Sequence, residues 1–535
     1  MQRSTPLDAT RSLPTGHENH AVRGAMSDSE PVAELAASAV DDESAASAQR
    51  TIVKNTLLLG VAQAASLPIS ILLSAITARF LGPEALGSMY LGSTFNSFGA
   101  LVVDWGQGGA LPAMVATDRS SAGRLLGTSL VWRCAWSLAV GVVLALVCQL
   151  FGYSSDVKIA IALMFVGYTL SAFTNAYQLI TLGFERADIS AYRQVLEPML
   201  SLVIVAPILL LGGQLAIVLW GHALGVAILL AYVWRASKST PLQQLSFDRA
   251  SLRALLQRGT PFVFLTFAAI LQPNIDAIFL SKLAPEEVVG WLAAARKLVG
   301  VLIFPSAALI GAAYPTLCRL YAEDTSAFQR TTSAALRATT LLAVPVALCC
   351  ALFPEIGVTI YSRKSFVPAE DDLRILAIFL FLVYFSMPLG TALQAAGKSR
   401  KWAAVQALCV VVSVVLDPIL IPYFQRRTGN GGMGVCVSAV VSETIVVLLA
   451  VQLAPRGIFE RRFWRSLLLA GVSGLAMAAV ARALSFLSPF LVAPCALATY
   501  VLVLWLTGGL EPAHIEALRS AVTRKLSRLR RARNQ

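Results

Sequence analysis

The residues of this sequence that could do chemistry are ionisable side chains set inside long apolar runs. An ionised group in a bilayer core is costly, so it faces a cavity or a partner. Asp276 closes the segment Gln272-Pro273-Asn274-Ile275-Asp276, where proline frees a backbone carbonyl and the two amides add polar atoms. Arg296 and Lys297 sit together in Ala293-Ala-Ala-Arg-Lys-Leu298. Neighbours on a helix point about 100° apart, so one of them faces a central cavity as a cation and the other snorkels or pairs with Asp276. Asp104 stands beside three glycines in Val103-Asp-Trp-Gly-Gln-Gly-Gly109, Glu443 lies in Val441-Ser-Glu-Thr444, and Arg79 precedes Phe80-Leu-Gly-Pro83. Asp417-Pro418 reads as a helix end. Such groups bind anions or exchange protons and small cations, and covalent catalysis has little to draw on. Only four histidines occur, two of them (His17, His20) in a polar N-terminal stretch. The eight cysteines, Cys134, Cys148, Cys318, Cys349, Cys350, Cys409, Cys436 and Cys495, form no CxxC pair and read as small side chains buried at helix contacts. No catalytic residue, no metal set and no cofactor is assigned. Proton or sodium coupling is the one ionic role open to Asp276, Asp104 and Glu443.

The elements that position these residues must be membrane helices. Of 535 residues, 56% are hydrophobic and 14% charged, against about 25% charged in a soluble protein. A crossing helix needs roughly 20 apolar residues. Apolar runs of that length begin near Thr56 and recur to Thr507, giving about fourteen crossings. The fold class is all-α and polytopic.

Basic residues alternate between the connections. With the N-terminus inside, the cytoplasmic ones carry Arg119 and Arg124, Arg186 and Arg193, the 235–258 group, Arg319 and Arg330, Lys398 to Lys401, and Arg456 to Arg465. The opposite connections are poorer in cations, which puts both termini in the cytoplasm. The net charge of +13 is then cytoplasmic charge held against anionic lipid, and nucleic acid is not a partner. No connection is long enough to fold as a domain, which counts against a membrane-embedded polymerase or ligase.

The chain also repeats itself. Phe80-Leu-Gly-Pro-Glu-Ala-Leu-Gly87 has a counterpart in Leu283-Ala-Pro-Glu-Glu-Val-Val-Gly290, roughly 200 residues on. Leu111-Pro112 and Tyr314-Pro315 follow, then Arg133 and Arg337, then Leu182-Gly183 and Ala396-Gly397. Both copies start on one side, so two six-helix lobes are expected, related by a pseudo-two-fold axis along the membrane normal, with two further C-terminal helices. The expected divisions are a disordered cytoplasmic tail at 1–50, an N-lobe at 51–234, an amphipathic cytoplasmic linker helix at 235–258, a C-lobe at 259–455, two helices at 456–510 and a basic amphipathic tail at 511–535.

Four segments resemble motifs of the oligosaccharide flippases of bacterial polysaccharide synthesis, the Wzx-like members of the multidrug/oligosaccharidyl-lipid/polysaccharide exporter superfamily. Arg79-Phe-Leu-Gly-Pro-Glu-Ala-Leu-Gly87 is similar to the signature after the first helix, and Asp104-Trp-Gly-Gln-Gly-Gly-Ala110 to the D-x-G segment of the second. Leu393-Gln-Ala-Ala-Gly-Lys398 resembles the helix-ten motif, and Gly432-Met-Gly434 with Glu443 the helix-twelve pattern. The second-lobe copy lacks the glycine before Pro285, and Trp105 and Gln107 replace smaller residues. The resemblance implies a bacterial inner-membrane transporter working by alternating access. Its cargo would be a polyprenyl-pyrophosphate-linked oligosaccharide repeat unit for O-antigen, capsule or exopolysaccharide, turned from the cytoplasmic to the periplasmic leaflet. Membrane lipid, a polysaccharide polymerase and chain-length proteins are the further partners implied. Arg296, Lys297, Arg79, Asn274 and Gln272 are the candidate cavity residues for the cargo. The rival readings are a multidrug or metabolite exporter of the same superfamily, a polymerase or ligase, and a lipid II flippase. The last ranks lower because Arg79 and Arg133 read as interface residues and not as cavity arginines.

Overall fold

The computed structural model describes residues 30–240, 244–361, 364–455 and 457–509. Among them are fifteen α-helices and no strand. The first half holds α1 (Glu30–Asp104), α2 (Gln107–Thr117), α3 (Ala122–Leu150), α4 (Ser155–Gly183), α5 (Ala187–Leu210) and α6 (Leu215–Ser237). The second holds α7 (Arg249–Leu283), α8 (Glu286–Glu323), α9 (Thr325–Leu352), α10 (Pro354–Tyr361), α11 (Ala369–Ala395), α12 (Ser399–Thr428) and α13 (Gly432–Leu453), followed by α14 (Arg461–Ala483) and α15 (Pro489–Leu506). The chain forms two compact units, Met1–Leu57 and Leu58–Gln535.

In the first unit, residues 30–50 are helical where a disordered tail was expected. Alanine and glutamate in Ala33-Glu-Leu-Ala-Ala-Ser-Ala39 are strong helix formers, so low hydrophobicity there does not mean absence of helix. Residues 1–29 and the basic tail at 511–535 lie outside the described residues.

Twelve helices among the described residues of the chain are long and apolar enough to cross a membrane. The first of these, Leu58–Thr117, has 60 residues, roughly three times the length of one crossing. It breaks at Gly82, whose φ of 82° is a conformation that side chains with a Cβ avoid. The break divides it into two crossings. The 35 residues of α7 supply another, made less apolar by Gln272, Asn274 and Asp276. The helix pattern therefore agrees with about fourteen crossings.

A separate linker helix does not form. Residues 235–237 finish α6, and Arg249–Arg258 are the opening turns of α7. Asp248 starts α7 by accepting hydrogen bonds from the backbone N–H groups of Ala250 and Ser251. Leu252, Leu255 and Leu256, expected on an amphipathic linker helix, lie instead on α7, and Leu255 is fully buried.

The repeat is realised as packing. At the end of the bundle where Pro83 and Pro285 lie, Gly87 and Gly290 cross. A Cβ on Gly87 would come 2.4 Å from the Glu286 carbonyl oxygen, and one on Gly290 would come 2.0 Å from that of Pro83. Glu286 stands to Gly290 as Pro83 stands to Gly87, so each repeat presents the same surface to the other. Such reciprocity is the mark of a two-fold contact. Small residues let backbones approach in lipid, where the hydrophobic effect does not drive helices together. The largest apolar cluster fills this end, with Leu86, Leu91, Val157, Leu280, Val289, Leu373 and Tyr384 drawn from both repeats.

The added helices pack on one side only. Helices α14 and α15 lie against α9, and the Tyr500 hydroxyl donates to the Leu341 carbonyl at 2.8 Å. Four cysteines (Cys148, Cys350, Cys409, Cys436) are buried as expected, whereas Cys134 and Cys495 are exposed.

Candidate functional site

A cavity of about 600 Å³, lined by polar and apolar side chains together, lies beneath the Gly87–Gly290 crossing. Its wall is built from two helical stripes. Gln63, Ser66, Ser70, Ser74 and Thr77 recur every three or four residues along α1, and Ser190, Arg193, Gln194, Glu197 and Ser201 do so along α5. That period places each set on one helix face. Arg193 pairs with Glu197 at 3.1 Å and donates to the Gln178 amide oxygen at 2.8 Å. Gln194 bonds Gln63 across the cavity, and His222 Nδ1 meets the Ser201 hydroxyl at 2.9 Å. The wall is thus rich in hydroxyls and amides, the groups that match sugar hydroxyls.

From the other repeat, Ala293 and Lys297 reach this cavity. Lys297 is 11 residues beyond the start of α8, about 16 Å down its axis. No ion pair to it occurs among the described residues. Arg193 and Glu197 pair with one another, which leaves Lys297 as the cavity's basic side chain without an ion pair among the described residues. Arg296, its neighbour, turns away. It pairs with Asp276 at 2.6 Å and donates to the Pro273 carbonyl at 2.8 Å and the Tyr90 hydroxyl at 3.0 Å. The ambiguity between the two cations is resolved by α8: residues 100° apart serve different neighbours.

The other candidates lie elsewhere. Arg79 does not line the cavity. Its guanidinium donates to the carbonyls of Thr359, Ile360 and Tyr361 at 2.9, 2.9 and 3.0 Å, tying the end of the first crossing to α10. Lys282, its counterpart in the second repeat, makes the matching tie. Its ammonium donates to the Phe151 carbonyl at 2.7 Å and lies 3.3 Å from the Tyr153 ring centroid. Asn274 donates to the Ile270 carbonyl of its own helix at 2.7 Å, and neither it nor Gln272 lines the cavity. A mid-span amide is satisfied by its own backbone as readily as by a cavity.

Asp104 and Arg133 form an ion pair within the first repeat. Arg133 is fully buried, also donating to the Ala172 carbonyl at 3.0 Å, and so is no interface residue. Charge on an apolar helix gave no sign of which acid would meet it. Arg193, read as a loop cation, likewise belongs to the cavity wall. The α5 polar stripe was the signal that could have found it.

Around Asp276 lies a second group of acids. Asp417 is fully buried in mid-α12, not at a helix end, within interaction range of Asp276 and Ser438 but without a well-formed hydrogen bond to either. Asp372, also fully buried, accepts from the Asn430 amide at 3.1 Å through one oxygen and leaves the other unbonded. Three buried carboxyls therefore share one arginine. Glu443 accepts a hydrogen bond from the Ser386 hydroxyl, away from this group. Among the described residues no group of His, Cys, Asp and Glu is arranged as a metal site.

Comparison with known proteins agrees with this architecture. A family model described as "Polysaccharide biosynthesis protein" matches residues 52–321, and the MatE model matches residues 261–419. No curated protein sequence matches. Among solved structures, the lipid II flippase MurJ in an inward closed conformation is similar with a TM-score of 0.67 at 13% identity, over 84% of this chain and 98% of that one. An inward-facing multidrug resistance MATE family transporter is similar with a TM-score of 0.59 at 19% identity, over 76% and 95%. The MATE multidrug transporter DinF-BH gives 0.53 at 15% identity, over 77% and 96%.

Proposed function

We propose, for a chain that belongs to the polysaccharide biosynthesis protein family of the multidrug/oligosaccharidyl-lipid/polysaccharide exporter superfamily, that it flips a polyprenyl-pyrophosphate-linked oligosaccharide across the bacterial inner membrane. The observation that carries this reading is the cavity: hydroxyl and amide stripes facing a lysine without an ion pair among the described residues. Sugar hydroxyls exchange water for Gln63, Gln178, Gln194 and the serines. The pyrophosphate, a charge that cannot enter hydrocarbon unaided, takes Lys297 as its counter-charge. The isoprenoid tail stays in lipid. No bond is made or broken, and the chain acts as a transporter and not as an enzyme.

In the proposed orientation the Pro83 end faces the periplasm. The Gly87–Gly290 crossing and the Arg79 and Lys282 ties then hold the outer side closed, and release requires all of them to part. Coupling belongs to Asp276, Asp417 and Asp372. A proton or sodium ion reaching these acids competes with Arg296 for Asp276, and Arg296 in turn touches Tyr90 of the cavity wall. That is a physical link between ion occupancy and the cargo site.

The test is reconstitution of the purified chain in liposomes carrying such a glycolipid on one face, read by enzymatic access to the sugar. Transfer to the opposite face supports the reading, and cargo left where it began rejects it. The second reading, export of cationic drugs, draws on the MatE match over 261–419 and on Glu197 in the cavity. It requires transport of cationic dyes by the same liposomes, which Lys297 disfavours.

A further inference from the structure

The two repeats carry the same cleft on their outer flanks, and treat it differently. In the first, Gly141, Leu144, Ala145 and Cys148 of α3 face α4 across a cleft of about 500 Å³. In the second, Val344, Ala347, Leu348 and Ala351 of α9 face α11 across one of about 380 Å³. These two sets correspond position by position, at the spacing that relates Gly87 to Gly290. The second cleft is roofed by α14 through Gly471, Gly474, Leu475 and Ala478. Its basic rim residue, Arg374, is neutralised by Asp371 at 2.6 Å and Glu370 at 3.3 Å.

Among the described residues, the first cleft has no such roof. Its rim residue, Lys158, has only the neutral Gln149 amide oxygen at 3.0 Å, and no ion pair among the described residues. An apolar slot under an uncompensated ammonium has the complementarity of an amphiphile with an anionic head. The apolar slot has the volume for a single acyl chain, and the unpaired ammonium at its rim selects an anionic head.

We propose that the α3–α4 cleft binds one anionic glycerophospholipid, its phosphate on Lys158 and one acyl chain along the slot lined by Leu144, Ala145, Ile161 and Ala162. The lipid does for the first repeat what α14 does for the second: it covers the flank of the third and fourth helices. The site is separate from the cargo cavity and stands whether or not the chain is a flippase.

Native mass spectrometry of the full chain, equilibrated with equal amounts of phosphatidylglycerol and phosphatidylcholine, tests this. The intact chain retains phosphatidylglycerol over phosphatidylcholine by about fivefold at this site, the effect of one lysine near an anionic phosphate. Lys158→Gln and the cleft-filling Ala145→Leu each remove one retained phosphatidylglycerol, and Arg374→Gln removes none. Equal retention of the two lipids, an unchanged count in Lys158→Gln, or displacement by polyprenyl phosphate in preference to phosphatidylglycerol would each overturn the proposal. Should Ala145→Leu fail to fold, Lys158→Gln decides alone.

Discussion

Each repeat buries a carboxylate against an arginine, and the two pairs are built for different work. In the first, Asp104 meets Arg133 within one lobe, the arginine fully buried and the acid partly exposed. Charges balance one to one, and the Ala172 carbonyl takes up a further donor. In the second, Asp276 is the buried partner and Arg296 the more accessible one, and Asp417 and Asp372 stand nearby with carboxyl oxygens unbonded. The first pair balances in charge, although Arg133 Nη2 is buried without a hydrogen-bond partner, and it is suited to holding α3 against its neighbours. The second has more acid than base and an arginine that also reaches Tyr90 in the other lobe. An ion pair becomes a switch when a third partner can replace one of the two.

The comparison breaks most sharply on stability. Asp104→Leu, which leaves Arg133 buried and unpaired, is expected to cost about 3–5 kcal/mol, and adding Arg133→Leu should recover most of it. Thermal unfolding in detergent measures both. Asp276→Asn should instead leave the folded fraction near normal while removing the dependence of transport on an ion gradient. If Asp104→Asn abolished that dependence and Asp276→Asn did not, the two roles would be reversed.

Next in size is the cavity lysine. Lys297→Gln is expected to lower transport of a pyrophosphate-linked cargo by about tenfold, one decade per 1.4 kcal/mol of lost charge-assisted hydrogen bonding, with Lys297→Arg largely restoring it. Arg296→Gln should act through the acids and change the ion dependence. A smaller effect is expected at the outer ties. Arg79→Gln and Lys282→Gln should each shift the population toward the outward-open form by about 1 kcal/mol, the ordinary net worth of such a hydrogen bond. Labelling of a cysteine in place of Ser88, buried beside the Gly87–Gly290 crossing, reports that shift, and similar effects of the two substitutions would support their symmetry.

The smallest effect lies at the helix starts. Asp118 and Asp324 begin the third helix of each repeat. A hydrogen bond from the Ser120 hydroxyl to Asp118, and from the Ala327 backbone N–H to Asp324, holds each carboxyl below its usual range. A lowered value means that the caps contribute above the ordinary carboxylate range, near 3.8, and are lost as pH falls through the folded value. Carboxyl chemical shifts followed below pH about 5 should show both titrating below a free aspartate.

Much of this was legible from residue order. Crossing lengths follow from the thickness of hydrocarbon, and two repeats follow from Phe80–Gly87 and Leu283–Gly290, because a duplicated chain duplicates its turns. Asp276 stood out because carboxylates in apolar runs are expensive. What residue order did not fix was which charge meets which. Arg79 and Asn274 were polar in apolar company, yet bond to backbone carbonyls, and Gln272 does not line the cavity. Arg193 looked like loop charge and lines the cavity.

Sequence by itself determined that the chain is helical, duplicated and membrane-spanning, since these depend on periodicity and apolar length along one strand of residues. Only the tertiary structure decided that Arg296 faces Asp276 while Lys297 faces the cavity, and that α14 roofs the flank of the second repeat and not that of the first. Those outcomes depend on the rotation of each helix against its neighbours, and that rotation is set by contacts between residues far apart in the chain.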